Sequence, residues 1–156
     1  MRTSLALVAV ALVALLALTP AVAAPQAVVT AQAAGETPPF EIIVNPDIPA
    51  VVLDRKFIED AFLKKVTRWP DGTALHPADL TPGSPVRKRF SEEILNRSVE
   101  AVWNYWQQRI FSGRDVPPPE LNDDDEAAAF VLKHSGGIAY VSPRTKLNGA
   151  KVVTWR

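Results

Sequence analysis

Patterns typical of a folded domain are confined to the stretch from Phe40 to Arg156, and this limit constrains the fold more than any other feature. Roughly 115 residues can build one hydrophobic core and hardly two. The whole chain contains no cysteine, so no disulfide can stabilise a smaller or looser arrangement. We therefore expect a single domain over residues 40–156 that is stabilised by its apolar core.

The N-terminal segment has the composition of a secretory signal peptide. Arg2 is the only charge ahead of an apolar run from Leu5 to Leu18, and Ala21-Val22-Ala23 then supplies the small residues that a signal peptidase requires. A spanning helix needs roughly 20 apolar residues, more than this run offers. We predict a cleaved signal peptide at residues 1–23, no membrane span after cleavage, and a periplasmic or secreted protein. Residues 24–39, rich in Ala and Pro, are predicted to be a flexible linker.

Composition and motif content argue against several classes of function. Lys and Arg together number 17, as do Asp and Glu, and a near-neutral chain is not suited to non-specific binding of nucleic acid. The chain has two histidines, His76 and His134, and neither lies in a metal-ligand spacing. The acidic run Asp123 to Glu126 lacks the alternating ligands of a calcium loop and is typical of a helix start. We therefore predict no catalytic residues, no metal site and no cofactor, and hence a protein that is not an enzyme.

Short β-rich runs alternate with helices in the predicted domain. Strands are predicted at residues 41–44, 73–79, 138–141 and 151–155. Helices are predicted after the capping residues Asp54, Ser84, Ser98 and either Asn122 or Asp123. This order predicts an α/β fold with a mixed sheet of about four strands flanked by about four helices.

Aromatic residues on the third predicted helix admit two interpretations. Trp103, Tyr105 and Trp106 could form a platform on which a sugar stacks. Trp103 and Trp106 are three residues apart, however, and share one helical face with other apolar residues. We therefore expect both tryptophans in the core, with Tyr105 pointing away from it.

The start of the second predicted helix is the best candidate for a binding site. The first turn of a helix has free backbone N–H groups and a partial positive charge, and both favour an anion. Gly83 allows close approach to the backbone, and Ser84 adds a hydroxyl group. Arg87 lies one turn further on and can supply a full charge. The alternative is that Ser84 only caps its own helix and that Arg87 is solvated.

Four short motifs occur in order along the predicted domain. They are Trp69 to Gly72, following the helix that contains Phe57 to Leu63, then Ser84 to Phe90, Trp106 to Gly113, and Gly137 to Val141. Together they resemble the W-x-D-G turn, the G-S-x-x-R-x-x-F helix start, the W-x-x-x-x-F-x-G segment and the closing G-x-I-G-Y-V of one family. That family is the phosphate-binding, periplasmic substrate-binding proteins of ABC transporters, and specifically their short, single-lobe relatives.

The resemblance implies a single lobe of the type II periplasmic binding-protein fold. Full-length members hold an oxyanion between two lobes, partly at a Ser-Gly-Thr helix start. Carried onto this chain, the ligand-binding residues are Gly83, Ser84 and the backbone of Val86 and Arg87. Pro85 and Val86 stand where the family pattern has Gly and Thr.

Two functional hypotheses follow from this resemblance. The first is an exported protein of the phosphate ABC-transporter substrate-binding type that binds phosphate or another oxyanion at a helix N-terminus. Its expected protein partner is an ABC transporter or another envelope protein, and nucleic acid is not an expected partner. The alternative is a lobe without a ligand that acts as a protein-interaction module in the cell envelope.

Overall fold

The structure is a computed structural model that describes residues 39–156. The signal peptide predicted at residues 1–23 lies outside the described residues, as does nearly all of the linker predicted at 24–39. Within the described part of the chain, no helix is both long enough and apolar enough to cross a membrane.

A mixed sheet of five strands lies at the centre of the domain, in the order β2-β7-β1-β6-β3. The central strand β1 is antiparallel to both of its neighbours, whereas the two outer strands run parallel to theirs. A separate parallel pair is formed by β4 and β5. The strands are β1 Glu41–Val44, β2 Val52–Leu53, β3 His76–Pro77, β4 Asp79–Leu80, β5 Glu120–Leu121, β6 Gly137–Val141 and β7 Lys151–Trp155.

Four helices accompany the sheet, and each begins after a residue whose side chain accepts a backbone hydrogen bond from its first turn. The helices are α1 Arg55–Phe62, α2 Pro85–Glu93, α3 Val99–Phe111 and α4 Asp124–Lys133. Their caps are Asp54, Ser84, Ser98 and Asp123. The predicted caps are confirmed, with Asp123 rather than Asn122 at the start of α4.

The α/β fold class is confirmed, and the strands predicted at residues 41–44, 138–141 and 151–155 are present as β1, β6 and β7. The strand predicted at residues 73–79 is wrong. The run predicted as one strand at residues 73–79 pairs with three different partners in succession. Ala74 bridges to Arg68, β3 pairs with β6, and β4 pairs with β5. Because these pairings belong to a separate bridge and to two different sheets, no continuous strand forms.

Aromatic side chains fill the space between the sheet and α1 and α2. Tyr140 on β6 stacks on Phe90 of α2 with ring centroids 3.9 Å apart. Phe62 of α1 contacts the same pair, with centroid distances of 4.6 Å to Phe90 and 5.7 Å to Tyr140. Phe40 also packs against Phe90. This cluster fixes the position of α2, and therefore of the predicted site at its start.

The prediction for the aromatic residues of α3 is only partly correct. Trp106 is buried, but Trp103 is 56% exposed, because the buried face of this helix is too narrow to include both tryptophans. Tyr105 is half-buried rather than turned away, and its hydroxyl donates to the carbonyl oxygen of Leu63 at 2.9 Å. The three side chains therefore do not form a stacking platform.

Candidate functional site

The start of α2 is held by local hydrogen bonds of the kind expected from its sequence. The Ser84 N–H donates to the carbonyl oxygen of Thr81 at 3.0 Å, closing a turn after β4. The Ser84 hydroxyl oxygen accepts from the Arg87 N–H at 3.3 Å. Pro85 has no N–H to donate, and the Val86 N–H has no acceptor among the described residues. The helix start therefore presents one free backbone donor beside a hydroxyl group.

The side chain of Arg87 turns inward instead of towards the helix start. One guanidinium nitrogen lies 3.1 Å from Asp79 Oδ2, and another lies 2.7 Å from Glu120 Oε1. The latter nitrogen also donates to the carbonyl oxygen of Leu80. Only 3% of the residue is exposed. The full charge predicted for ligand binding is thus paired within the protein, and Arg87 contributes only its backbone to the helix start.

Asp79 is the centre of this buried network. Its Oδ1 atom accepts from the Tyr140 hydroxyl group and from the Leu80 N–H. Burial raises the pKa of Asp79, while the Arg87 charge and the two hydrogen bonds act in the opposite direction. Burial and the adjacent Asp79 carboxylate raise the pKa of Tyr140, so its hydroxyl group keeps its proton. The network links β4, β5, β6 and α2, and so fixes the turn that precedes Ser84.

A cleft of about 760 Å³ opens in front of the α2 start. Its walls come from three segments: the β4–α2 turn, the start of α4 and the loop after β6. Of the predicted ligand-binding residues, Gly83, Ser84 and Val86 line this cleft, whereas Arg87 does not. Two helix N-termini, those of α2 and α4, therefore face the same space.

The start of α4 already has its own acidic groups. Asp123 Oδ1 accepts from the Glu126 N–H at 2.8 Å. Asp124 Oδ2 accepts from the Ser142 N–H at 3.1 Å and from the Thr145 hydroxyl at 3.0 Å. These contacts hold the loop after β6 against α4. The carboxylates also interact favourably with the partial positive charge at the N-terminus of α4. The α2 start is therefore the better of the two for an added anion.

Two cations also line the cleft. Arg144 and Lys146 are both exposed and both belong to the loop after β6. Neither forms a salt bridge within residues 39–156. Sequence reasoning missed both residues, because nothing in the sequence indicates that this loop faces the start of α2. The cleft thus contains two cations other than the predicted Arg87, together with the carboxylates of Asp123, Asp124 and Asp125.

The domain has the fold of a single lobe of a type II periplasmic binding protein. The resemblance inferred from the four sequence motifs is therefore confirmed at the level of the fold. No protein-family model matches the sequence, and no curated protein matches it either.

Several solved structures are similar to this chain. An ABC-type phosphate transport receptor from Vibrio cholerae aligns with a TM-score of 0.55 at 14% identity, over 74% of this chain and 45% of the receptor. PstS from Borrelia burgdorferi aligns with a TM-score of 0.58 at 9% identity, over 75% of this chain and 47% of that protein. A structure assigned as a phosphate ABC transporter substrate-binding protein from Clostridium perfringens, with bound phosphate, aligns with a TM-score of 0.57 at 16% identity. The alignment covers 74% of this chain and 44% of that protein. This chain thus spans less than half the length of these proteins.

Proposed function

We propose that this protein is an exported, substrate-binding-like lobe that binds phosphate or another oxyanion at the start of α2, and that it is not an enzyme. The observation that carries the proposal is that the α2 start, Arg144 and Lys146 all face one open cleft. The fold supports it as well, because the similar structures include transport receptors for phosphate. The proposed location is the periplasm or the exterior of the cell, after cleavage of residues 1–23.

Two donors at the α2 start suit an oxyanion. The Val86 N–H is free among the described residues, and the Ser84 hydroxyl can donate while its oxygen accepts from the Arg87 N–H at 3.3 Å. Gly83 is exposed, and a methyl group added there would meet nothing within 4 Å. The helix dipole adds a partial positive charge at the same place.

The basic residues of the cleft supply the charge that Arg87 does not. Arg144 and Lys146 lie on a loop anchored to Asp124, so their long side chains start from a fixed backbone. An oxyanion at Ser84 would be attracted by both cations and repelled by the carboxylates of Asp123, Asp124 and Asp125, which line the same cleft. Because both are exposed, the attraction is weakened by salt, and we expect modest affinity rather than tight capture.

Titration calorimetry of the chain from Ala24 onward with inorganic phosphate and with sulfate tests the ligand. We expect saturable heat at sub-millimolar to millimolar anion, and loss of that heat in the Arg144→Gln/Lys146→Gln double variant. Arg89→Gln, which removes a charge from an exposed residue of α2, is the control and should bind normally. Absence of heat with both anions, with the protein folded, would refute the ligand proposal.

Export is tested separately by N-terminal sequencing of the protein secreted from cells that express the full chain. We expect the mature protein to begin at Ala24. Recovery of an uncleaved chain that starts at Met1 would contradict this part of the proposal and leave the anion site unaffected.

The second candidate function is a lobe without a ligand that serves as an interaction module in the cell envelope. The specific observation in its favour is the pairing of Arg87 with Asp79 and Glu120, which removes the predicted ligand charge from the cleft. Its partner would be an ABC transporter or another envelope protein. Cross-linking in intact cells tests this function. A specific cross-linked protein, together with no heat of phosphate binding, favours the interaction module. Heat of phosphate binding without a cross-linked protein favours the receptor.

A further inference from the structure

The only two histidines of the sequence meet on the surface of the folded domain. His76 begins β3, and His134 follows the last residue of α4. Their ring centroids lie 5.4 Å apart. His76 is exposed and His134 is half-buried, so solvent ions can reach the pair. Sequence spacing predicted no metal site here, because the contact depends on the parallel pairing of β3 with β6.

The His134 ring is held in a defined orientation. Its Nδ1 atom lies 2.8 Å from the carbonyl oxygen of Phe130. A carbonyl oxygen only accepts, so Nδ1 carries a proton, and in the neutral ring the lone pair is then on Nε2. The Phe130 ring stacks on the imidazole with a centroid distance of 4.1 Å. Metal-binding histidines commonly donate their second ring N–H to a backbone carbonyl in this way.

The separation of the two rings fits one metal ion held between them. Zinc–nitrogen bonds are about 2.05 Å long, and a ring centre lies roughly 1.1 Å beyond its nitrogen. Two imidazoles at a tetrahedral angle of about 109° would then have their centres about 5.1 Å apart. The 5.4 Å between the ring centres of His76 and His134 is close to this value, so the ring separation is compatible with one ion held between them.

We propose that His76 and His134 form a surface site for a borderline divalent transition metal ion such as Zn²⁺ or Cu²⁺, with solvent completing its coordination. Neutral imidazole is a preferred ligand of both ions. The site lies at the C-terminal end of α4, where the partial negative charge of the helix favours a cation. Within residues 39–156 no cluster of three or more metal-ligating side chains occurs, so the site has two protein ligands.

This metal site is separate from the anion cleft. The cleft is lined by the first residues of α4, and His134 follows its last residue. A helix of ten residues spans about 15 Å. The metal proposal therefore does not depend on phosphate binding, and each can fail without the other.

The test uses the mature chain without an affinity tag, at about pH 7.5, where most imidazole is neutral. Zn²⁺ titration calorimetry should give one ion per chain. His76→Gln and His134→Gln should each weaken that binding at least tenfold, a loss typical of removing a ligand-shell group. Ser135→Ala, an exposed neighbour of His134, is the control and should bind as the unaltered chain does.

A second measurement on the unaltered chain makes the result independent of how the variants fold. Electron paramagnetic resonance of the protein with one equivalent of Cu²⁺ counts the bound imidazole nitrogens by their hyperfine splitting. Two nitrogens from histidine support the proposal. One nitrogen or none, or Zn²⁺ affinity that is unchanged in His76→Gln, would overturn it.

Discussion

The guanidinium group of Arg87 lies 3.1 Å from the carboxylate of Asp79, and the two side chains are only 4% and 9% exposed. The pair joins the first turn of α2 to β4, directly before the turn that forms one wall of the cleft. Removal of one member of such a pair leaves a buried charge without compensation, which is far more costly than removal of both.

We expect Arg87→Met to lower the free energy of unfolding by about 3 kcal/mol, because Asp79 would remain buried without its cation. Urea unfolding followed by tryptophan fluorescence measures this. The Asp79→Asn/Arg87→Met double variant should recover part of the loss, since no unpaired buried charge remains. A loss below about 1 kcal/mol in the single variant would mean that the pair is solvated in solution.

Tyr140→Phe tests the hydrogen bond to Asp79 without disturbing the stacking on Phe90. The Asp79 carboxylate would lose one donor in a buried place, so the free energy of unfolding should fall by about 2 kcal/mol. Tyr105→Phe is the matched control, because the Tyr105 hydroxyl donates to a backbone carbonyl at a half-buried position. We expect the control to lose about 1 kcal/mol or less. Equal losses in the two variants would contradict a special role for the Asp79 contact.

Ser84→Gly separates anion binding from helix capping. Glycine is tolerated at an N-cap with a loss of only a few tenths of a kcal/mol, but it removes the hydroxyl group from the cleft. Phosphate affinity should fall about tenfold, as expected for a hydrogen bond to a charged group. Ser98→Gly makes the same change at the cap of α3, which does not line the cleft, and should leave phosphate affinity unchanged. Equal phosphate affinity in the two variants would exclude Ser84 as a ligand.

Truncation of the two tryptophans of α3 to alanine should have very different effects on the free energy of unfolding. Trp106→Ala should cost about 3–5 kcal/mol of unfolding free energy, because it opens a cavity in the core. Trp103→Ala should change stability by less than about 0.5 kcal/mol, since the side chain is mostly exposed. Thermal unfolding monitored by circular dichroism compares them directly. A large loss in Trp103→Ala would show that this side chain is covered in solution, for example by a second copy or by another protein.

Gly136 and Gly83 should differ in how much stability is lost when each is replaced by alanine. A methyl group added to Gly136 would lie 1.7 Å from the carbonyl oxygen of Ala74, a backbone atom that cannot move away cheaply. Gly136→Ala should therefore cost more than about 4 kcal/mol and yield little folded protein. Gly83→Ala adds a methyl group in open space and should change stability by less than about 0.5 kcal/mol. Near-native unfolding of Gly136→Ala would show that β6 can shift away from Ala74.

The helices could be predicted from the sequence because their signals are local. Asp54, Ser84 and Ser98 each cap a helix within three residues of their own position, and an apolar stripe follows each cap. The short strands could not be predicted in the same way. β2 and β5 are each two residues long, so they carry no alternation, and their existence depends on partners far away in the chain.

In the candidate site, too, features that depend on neighbouring residues could be predicted from the sequence, and features that depend on distant residues could not. The sequence puts Gly83, Ser84 and Val86 together at one helix start, and in the structure all three line the cleft; their role as ligands stays a prediction. The direction of the Arg87 side chain could not be predicted, because it depends on Glu120, which reaches β4 only through the pairing of β4 with β5. The contact between His76 and His134 likewise requires β3 to lie beside β6.

The position of β7 has a consequence for how the chain acquires its structure. The central strand β1 lies near the start of the described residues. Its residue Ile42, however, pairs with Tyr140 on one side and with Val153 on the other. Neither edge of β1 can be closed before the last segments of the chain have been synthesised. Folds dominated by such distant pairings form slowly, so a newly made chain remains open for longer. This delay is compatible with the proposed export, in which the chain crosses a membrane before it folds. The same open edges make the unfinished chain dependent on protection from aggregation.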